Sequence, residues 1–129
     1  MPVSPKWKDD RKTTIVITYQ NPWTWDEFHD GVLSTNALMD TVEYDVVLIH
    51  DTSHGGMLPI GNVVTHGNEA VERFSSNLAL IIVVVNSTLI RTFLSIVISM
   101  NPAGRGDKIK MMPTLEKAYQ LADEALQNI

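Results

Sequence analysis

The residues best suited to chemistry form one polar run after a strand-like apolar stretch, and it reads His50-Asp51-Thr52-Ser53-His54-Gly55-Gly56. Loops at the carboxyl ends of parallel strands are where α/β folds place their sites. Aspartate, serine and histidine together allow a hydrolase interpretation around Asp51, Ser53 and His54. A nucleophilic serine sits on a tight turn such as Gly-x-Ser-x-Gly, which Ser53 lacks. The pattern favours a loop held by backbone hydrogen bonds from Asp51 and Thr52, and no catalytic residue is predicted.

Histidines and carboxylates form two sets that are worth testing as metal ligands. The first set surrounds the polar run and comprises His50, Asp51, His54 and His66. The second shares one helical face through i, i+3, i+4 spacing and comprises Asp26, His29 and Asp30. Neutral imidazoles suit zinc or nickel, but His50 and Asp51 are neighbours on a strand and point to opposite faces. A solvated polar face explains the second set, so neither a metal nor a cofactor is predicted.

The elements that position these residues alternate between strand and helix. Strands are predicted over 3–7, 13–19, 44–51, 78–85 and 107–112. Helices are predicted over 25–40, 60–74, 88–100 and 115–129. An N-terminal hairpin followed by αβαβαβα predicts a single domain, residues 1–129, of α/β class. Its sheet should be mixed and mostly parallel, with about four helices packed around it.

Local signals mark several helix ends and faces. Thr24 and Glu27 are spaced for a reciprocal capping box at the start of the first helix. The second helix is predicted to bury a stripe that includes Ile60, with Gly67 on the same stripe allowing close approach to the sheet. The segment Asn101-Pro102-Ala103-Gly104 is predicted to end the third helix.

Composition and charge exclude several classes of protein. The chain has 129 residues and no cysteine, which excludes disulfides and thiolate chemistry and fits a cytoplasmic location. No signal peptide is visible at the N-terminus. From residue 13 to 88 one basic residue, Arg73, stands against nine acidic ones, within a net charge of -5. That stretch would repel phosphates, so nucleic-acid binding is not expected.

The third predicted helix is apolar on nearly all sides. The run 78–100 has the length of a membrane span, but the break at Asn86-Ser87-Thr88 and the charge of Arg91 argue against one. An all-round apolar helix in a small domain is either deeply buried or covered by a partner. We therefore predict homo-oligomerisation through Ile90, Phe93, Leu94 and Val97.

Two segments carry a family resemblance: Trp23-Thr24-Trp25-Asp26-Glu27-Phe28-His29 and Val46-Val47-Leu48-Ile49-His50-Asp51-Thr52-Ser53. With the hairpin, they resemble small bacterial STAS-type domains, the SpoIIAA-like (STAS/SEC14) group of anti-sigma-factor antagonists. The resemblance implies a mixed sheet with surrounding helices, no catalysis and action through protein–protein contact. Members are switched by phosphorylation of a serine at the start of the second helix. The equivalent stretch here, Pro59-Ile60-Gly61-Asn62, has no hydroxyl, so that switch does not carry over.

These observations leave three hypotheses about function. The favoured one is a non-catalytic regulatory module that contacts an unknown protein partner through Thr52, Ser53, His54, Pro59, Gly61 and Asn62. The second is a domain that binds a small lipid-like or apolar ligand, as the SEC14 part of the resemblance implies. The third is a hydrolase or metal site around Asp51, Ser53 and His54.

Overall fold

A computed structural model describes residues 2–100 and 105–127, over which the chain forms five strands and four α-helices. The strands are β1 (Val3–Trp7), β2 (Thr14–Gln20), β3 (Val46–His54), β4 (Leu78–Val84) and β5 (Ile109–Met112). The helices are α1 (Trp25–Met39), α2 (Val63–Arg73), α3 (Thr88–Met100) and α4 (Leu115–Gln127), and a 3-10 turn over Arg105–Lys108 precedes β5. The predicted stop at Asn101–Gly104 and the last predicted helical residue, Ile129, lie outside the described residues.

The strands form one mixed sheet in the order β1-β2-β3-β4-β5. β1 is antiparallel to β2, and the other neighbouring pairs are parallel. Consecutive parallel strands joined by right-handed crossovers place their connecting helices on one face of the sheet. Ile15 and Leu48 are accordingly buried beneath α1, α2 and α3, whereas Val47 is buried on the other face against Ala118 and Ala122 of α4. The predicted α/β class and mixed, mostly parallel sheet are confirmed.

The capping box at the start of α1 is also confirmed. Glu27 N donates to Thr24 Oγ1 at 3.1 Å, and Thr24 N donates to the Glu27 carboxylate at 3.1 Å. These bonds satisfy two of the N–H groups that a helix start leaves without partners. The cap sets the direction of α1, so that Trp25, Val32 and Met39 are buried against the sheet.

The largest departures from the sequence prediction lie between β3 and α2. β3 continues to His54, three residues beyond its predicted end, and α2 begins at Val63 rather than at residue 60. Gly61 has a φ of 93° and Asn62 a φ of 35°, and this left-handed backbone interrupts the helical path before Val63. The prediction that Ile60 belongs to a buried stripe is therefore wrong: its side chain is 99% exposed.

The apolar helix α3 differs from its prediction as well. Ile90, Leu94 and Val97 are buried in the core of the chain itself, and Phe93 is half-buried against the same core. The prediction that Ile90, Leu94 and Val97 form an association surface is therefore wrong, because they are covered within the chain itself, whereas Phe93 is only partly covered. The close approach at Gly67 is to α3, since a Cβ placed there would lie 2.7 Å from the Phe93 ring.

The surface of α3 is apolar in part. Its exposed large hydrophobic residues are Leu89, Ile96 and Met100. A homo-oligomer built on this helix would have to use these side chains, and oligomerisation stays a prediction. Over residues 2–100 and 105–127, none of the helices combines the length and apolar character needed to cross a membrane.

Candidate functional site

The polar run at the end of β3 does not assemble a catalytic triad. Ser53 Oγ donates to Asp51 Oδ1 at 2.6 Å, and Ser53 N donates to the same oxygen at 3.1 Å. Its hydroxyl proton is thus directed to a carboxylate two residues away and not to a histidine, the base that activates a triad serine. Thr52 Oγ1 donates to Val84 O at 2.6 Å. The predicted structural role of Asp51 and Thr52 is confirmed by these bonds.

His50 faces the opposite side of β3 from Asp51, as the strand geometry predicted. Its Nδ1 shares a hydrogen bond of 2.7 Å with Tyr19 Oη, and both side chains are buried. Burial lowers the pKa of His50 from 6.5 to about 4 and raises the pKa of Tyr19. Each charged form would lose its hydration without gaining a charged partner. The pair is consequently neutral at physiological pH.

An apolar cavity of about 80 Å³ lies between this pair and the helices α1, α2 and α3. Its walls combine aliphatic side chains with aromatic ones, and the aromatic residues include Trp23, Trp25, Phe28, Phe74 and Phe93. An engineered cavity that takes up benzene measures about 150 Å³. The described conformation therefore has no room for a lipid-like ligand, and such a ligand would have to part the helices that cover the cavity.

The segment from Thr52 to Asn62, called the 52–62 loop below, is fixed along its first half. Trp23 Nε1 donates to Gly55 O at 2.9 Å. The Asn21 side chain bonds both backbone groups of Met57, at 2.9 and 3.1 Å. Gly55 lies so close to β2 that a Cβ there would be 2.4 Å from Tyr19 Cβ. A small residue is required at that point, so the loop leaves β3 along one defined path.

The second half of the 52–62 loop presents apolar side chains to solvent. Ile60 is 99% exposed and Met57 74% exposed, whereas Leu58 packs against the core. At the end of the loop, Asn62 makes no side-chain cap bond to α2. Free N–H groups and apolar side chains thus occur on the same short segment.

The predicted contact residues do not all reach the surface. Ser53, His54, Gly61 and Asn62 are exposed, and Pro59 is half-buried. The prediction that Thr52 contacts a partner is wrong, because Thr52 is buried. Its hydroxyl donates a hydrogen bond to Val84 O and so has a structural role. The exposed residues that the sequence analysis left out of the contact surface are Met57 and Ile60. The sequence signal for Ile60 was weak: it lies directly before Gly61, a residue type that readily adopts the left-handed backbone seen here before α2.

A second polar cluster joins α1 to α2. His29 Nε2 lies 2.8 Å from His66 Nδ1 and 3.9 Å from the Glu69 carboxylate. Burial lowers the pKa of His29, and the nearby His66 lowers it further. The sequence analysis placed these two histidines in different metal sets. His66 was in the first set, and His29 was in the second with Asp26 and Asp30. The i, i+3 spacing of His66 and Glu69 could have suggested a shared face, but not that His29 lies opposite it.

Comparisons of the chain with protein families, with characterised proteins and with solved structures found no match.

Proposed function

We propose that the protein is a non-catalytic binding module that contacts a protein partner through the exposed half of the 52–62 loop. The observation that carries this proposal is the pair of exposed apolar side chains, Met57 and Ile60, within four residues of each other. A single exposed apolar residue is ordinary, whereas a clustered set marks interaction sites. The loop lies beside the start of α3, since a Cβ at Gly56 would lie 3.9 Å from Ser87 Cβ, and Leu89 in the first turn of α3 is also exposed.

The chemistry of the same edge supports binding over catalysis. Two of the three residues of the hydrolase hypothesis, Asp51 and Ser53, are hydrogen-bonded to each other, so the Ser53 hydroxyl proton is directed to Asp51 rather than to a histidine. The partner surface should be largely apolar with hydrogen-bond acceptors, since those would pair with the free N–H groups at the start of α2. Membership of the STAS-type group, which also acts through protein contacts, and a cytoplasmic location remain part of this proposal.

Site-specific photocrosslinking tests the contact surface. A photoreactive amino acid would replace Ile60 in one variant and Leu33 in a matched control, since Leu33 is exposed on α1, away from the loop. We expect one protein to be captured at position 60 and not at position 33. The purified partner should then bind the unmodified chain, and Ile60→Asp should weaken that binding about tenfold or more, as for a residue central to an interface. Identical adducts at both positions, or unchanged affinity of Ile60→Asp, would refute the proposal.

The ligand-binding hypothesis is separated from this proposal by native mass spectrometry of gently purified protein. A small bound mass that denaturation releases would favour a ligand held between the sheet and the helices. A chain mass without an adduct, together with binding of the crosslinked partner, would favour the protein-contact function.

A further inference from the structure

The polar cluster between α1 and α2 has the composition of a metal site. Its members are His29 on α1 and His66 and Glu69 on α2, and their ligand atoms all lie within 4.8 Å of one another. Two imidazoles with one carboxylate, leaving a fourth position open, is a ligand set that zinc uses in proteins. The cluster uses residues outside the 52–62 loop, so a metal ion bound there would be independent of the proposed partner contact.

The two measured separations within the cluster lie on either side of the separation between ligand atoms around a tetrahedral zinc ion. Ligand atoms around a tetrahedral zinc are about 3.3 Å apart, given zinc–nitrogen and zinc–oxygen bonds of about 2.0–2.2 Å. The His29 Nε2 to His66 Nδ1 distance is 2.8 Å, and His29 Nε2 to the Glu69 carboxylate is 3.9 Å. To reach tetrahedral spacing, the His29–His66 separation would widen by roughly half an ångström and the Glu69 carboxylate would move closer to the imidazoles. At 3.9 Å, by contrast, the carboxylate is too distant to accept a hydrogen bond from His29.

The packing around the cluster holds the rings in place for such an ion. The His66 ring stacks on Trp25, with centroids 4.5 Å apart and planes 14° from parallel. The His29 ring packs edge-on against Phe28 at 5.2 Å. Glu69 follows His66 by three residues, which places both on one face of α2. The two rings would shift only slightly, and the larger movement would be that of the Glu69 side chain, which is 44% exposed.

The charges near the cluster are compatible with a bound cation. A metal ion binds the neutral form of an imidazole, and the His29 side chain is partly buried, at 18% exposure. Asp26 adds negative charge near His29. Arg73 is the competing cation, and its guanidinium lies 3.8 Å from the Glu69 carboxylate, a loose and exposed pair that an ion would readily displace.

We propose that His29 Nε2, His66 Nδ1 and the Glu69 carboxylate bind one divalent transition-metal ion of the zinc class, with a fourth position open to solvent. The ion would clamp α1 to α2 beside Trp25. Because the site uses neutral imidazoles, its affinity should fall as the pH is lowered.

The test is isothermal titration calorimetry, in which zinc chloride is added to the unmodified, tag-free chain. We expect one ion per chain. Cobalt(II) should give the visible absorption of a low-coordinate site, which zinc then abolishes. Glu69→Gln keeps the shape of an exposed side chain, so it should fold normally, and we expect it to weaken zinc binding about tenfold or more. His29→Ala should abolish binding.

Two matched controls make the result specific. Glu72→Gln changes another exposed glutamate on α2, and His54→Ala changes an exposed histidine of the alternative set around the polar run. Both should bind zinc as the unmodified chain does. Absence of stoichiometric binding, or binding that Glu69→Gln leaves intact, would overturn the proposal. Loss of binding in His54→Ala would overturn it too and would assign the ion to the run after β3. If His29→Ala fails to fold, the Glu69→Gln comparison alone still decides the outcome.

Discussion

Acid should destabilise this protein through one buried histidine, His50. Its side chain is buried on the helix-covered face of β3, where it bonds Tyr19 at 2.7 Å and packs against Phe74 at 5.9 Å between ring centroids. Burial lowers the pKa of His50 from 6.5 to about 4 because the imidazolium would lose its hydration. In the unfolded chain the same residue titrates at its ordinary value. Folding is therefore linked to the neutral form of His50.

The sign and size of the effect follow from that difference. The folded pKa lies below the unfolded one, so the unfolded chain binds more protons as the pH falls. The contribution of His50 is fully present above pH 6.5 and is lost as the pH falls towards about 4. The free energy of unfolding should drop by about 2 kcal/mol by about pH 5 and by about 3 kcal/mol by about pH 4. That is a large part of the stability of a domain this size, about 5–15 kcal/mol in general.

Urea unfolding across this pH range measures the effect. His50→Asn removes the titration while offering Tyr19 an amide where Nδ1 was, and His54→Asn makes the same change at an exposed position. We expect the pH dependence to flatten by about 2–3 kcal/mol in His50→Asn and to stay unchanged in His54→Asn. The effect of His50 is obtained by comparing the variants with the unmodified chain, because the carboxylates and His29 contribute equally to the pH dependence of all three proteins. Equal slopes in His50→Asn and the unmodified chain would refute the reasoning.

Three further substitutions test the packing, each measured as a shift in the urea midpoint. Gly67→Ala should lower the free energy of unfolding by about 1–3 kcal/mol, because its Cβ would lie 2.7 Å from the Phe93 ring. This clash should outweigh the gain in helix propensity from alanine. A more stable variant would contradict the α2–α3 contact. Gly55→Ala should cost about 3 kcal/mol or more, since the Cβ would meet the Tyr19 backbone within 2.8 Å and backbone cannot give way; a neutral result would show that the loop path is adjustable. Thr24→Ala should cost about 1 kcal/mol through loss of the capping box, and no change would mean that tertiary packing alone fixes α1.

Most of the fold could be predicted because its signals are local. The capping box at Thr24 and the continuous apolar run of β3 depend on neighbouring residues, and both appear as predicted. The prediction for Ile60 was wrong for a physical reason. Its spacing fits a helical stripe, but Gly61 and Asn62 adopt a left-handed backbone, so the helix begins only after them. Periodicity reports which face a residue would occupy in a helix, and it does not report where the helix begins.

The cluster between α1 and α2 could not be predicted in the same way. His29 and His66 are separated by 37 residues, and their contact arises only once both crossovers lie on one face of the sheet. The choice of Ile90, Leu94 and Val97 as association residues was wrong for a related reason, since these side chains are buried within the chain. The sequence of α3 shows which residues are apolar, but only the packing of α2 across Gly67 decides that Ile90 and Val97 are covered.

The aromatic segment before and within α1 links the two candidate binding regions. Trp23 donates a hydrogen bond to Gly55 O and so fixes the first half of the 52–62 loop, while Trp25 stacks on His66 in the cluster. The two indoles contact each other edge to face at 5.3 Å. A partner that binds Met57 and Ile60 therefore contacts a loop whose first half is already held in place by the hydrogen bond from Trp23. Because less conformational entropy is then lost on binding, a small apolar surface can give useful affinity.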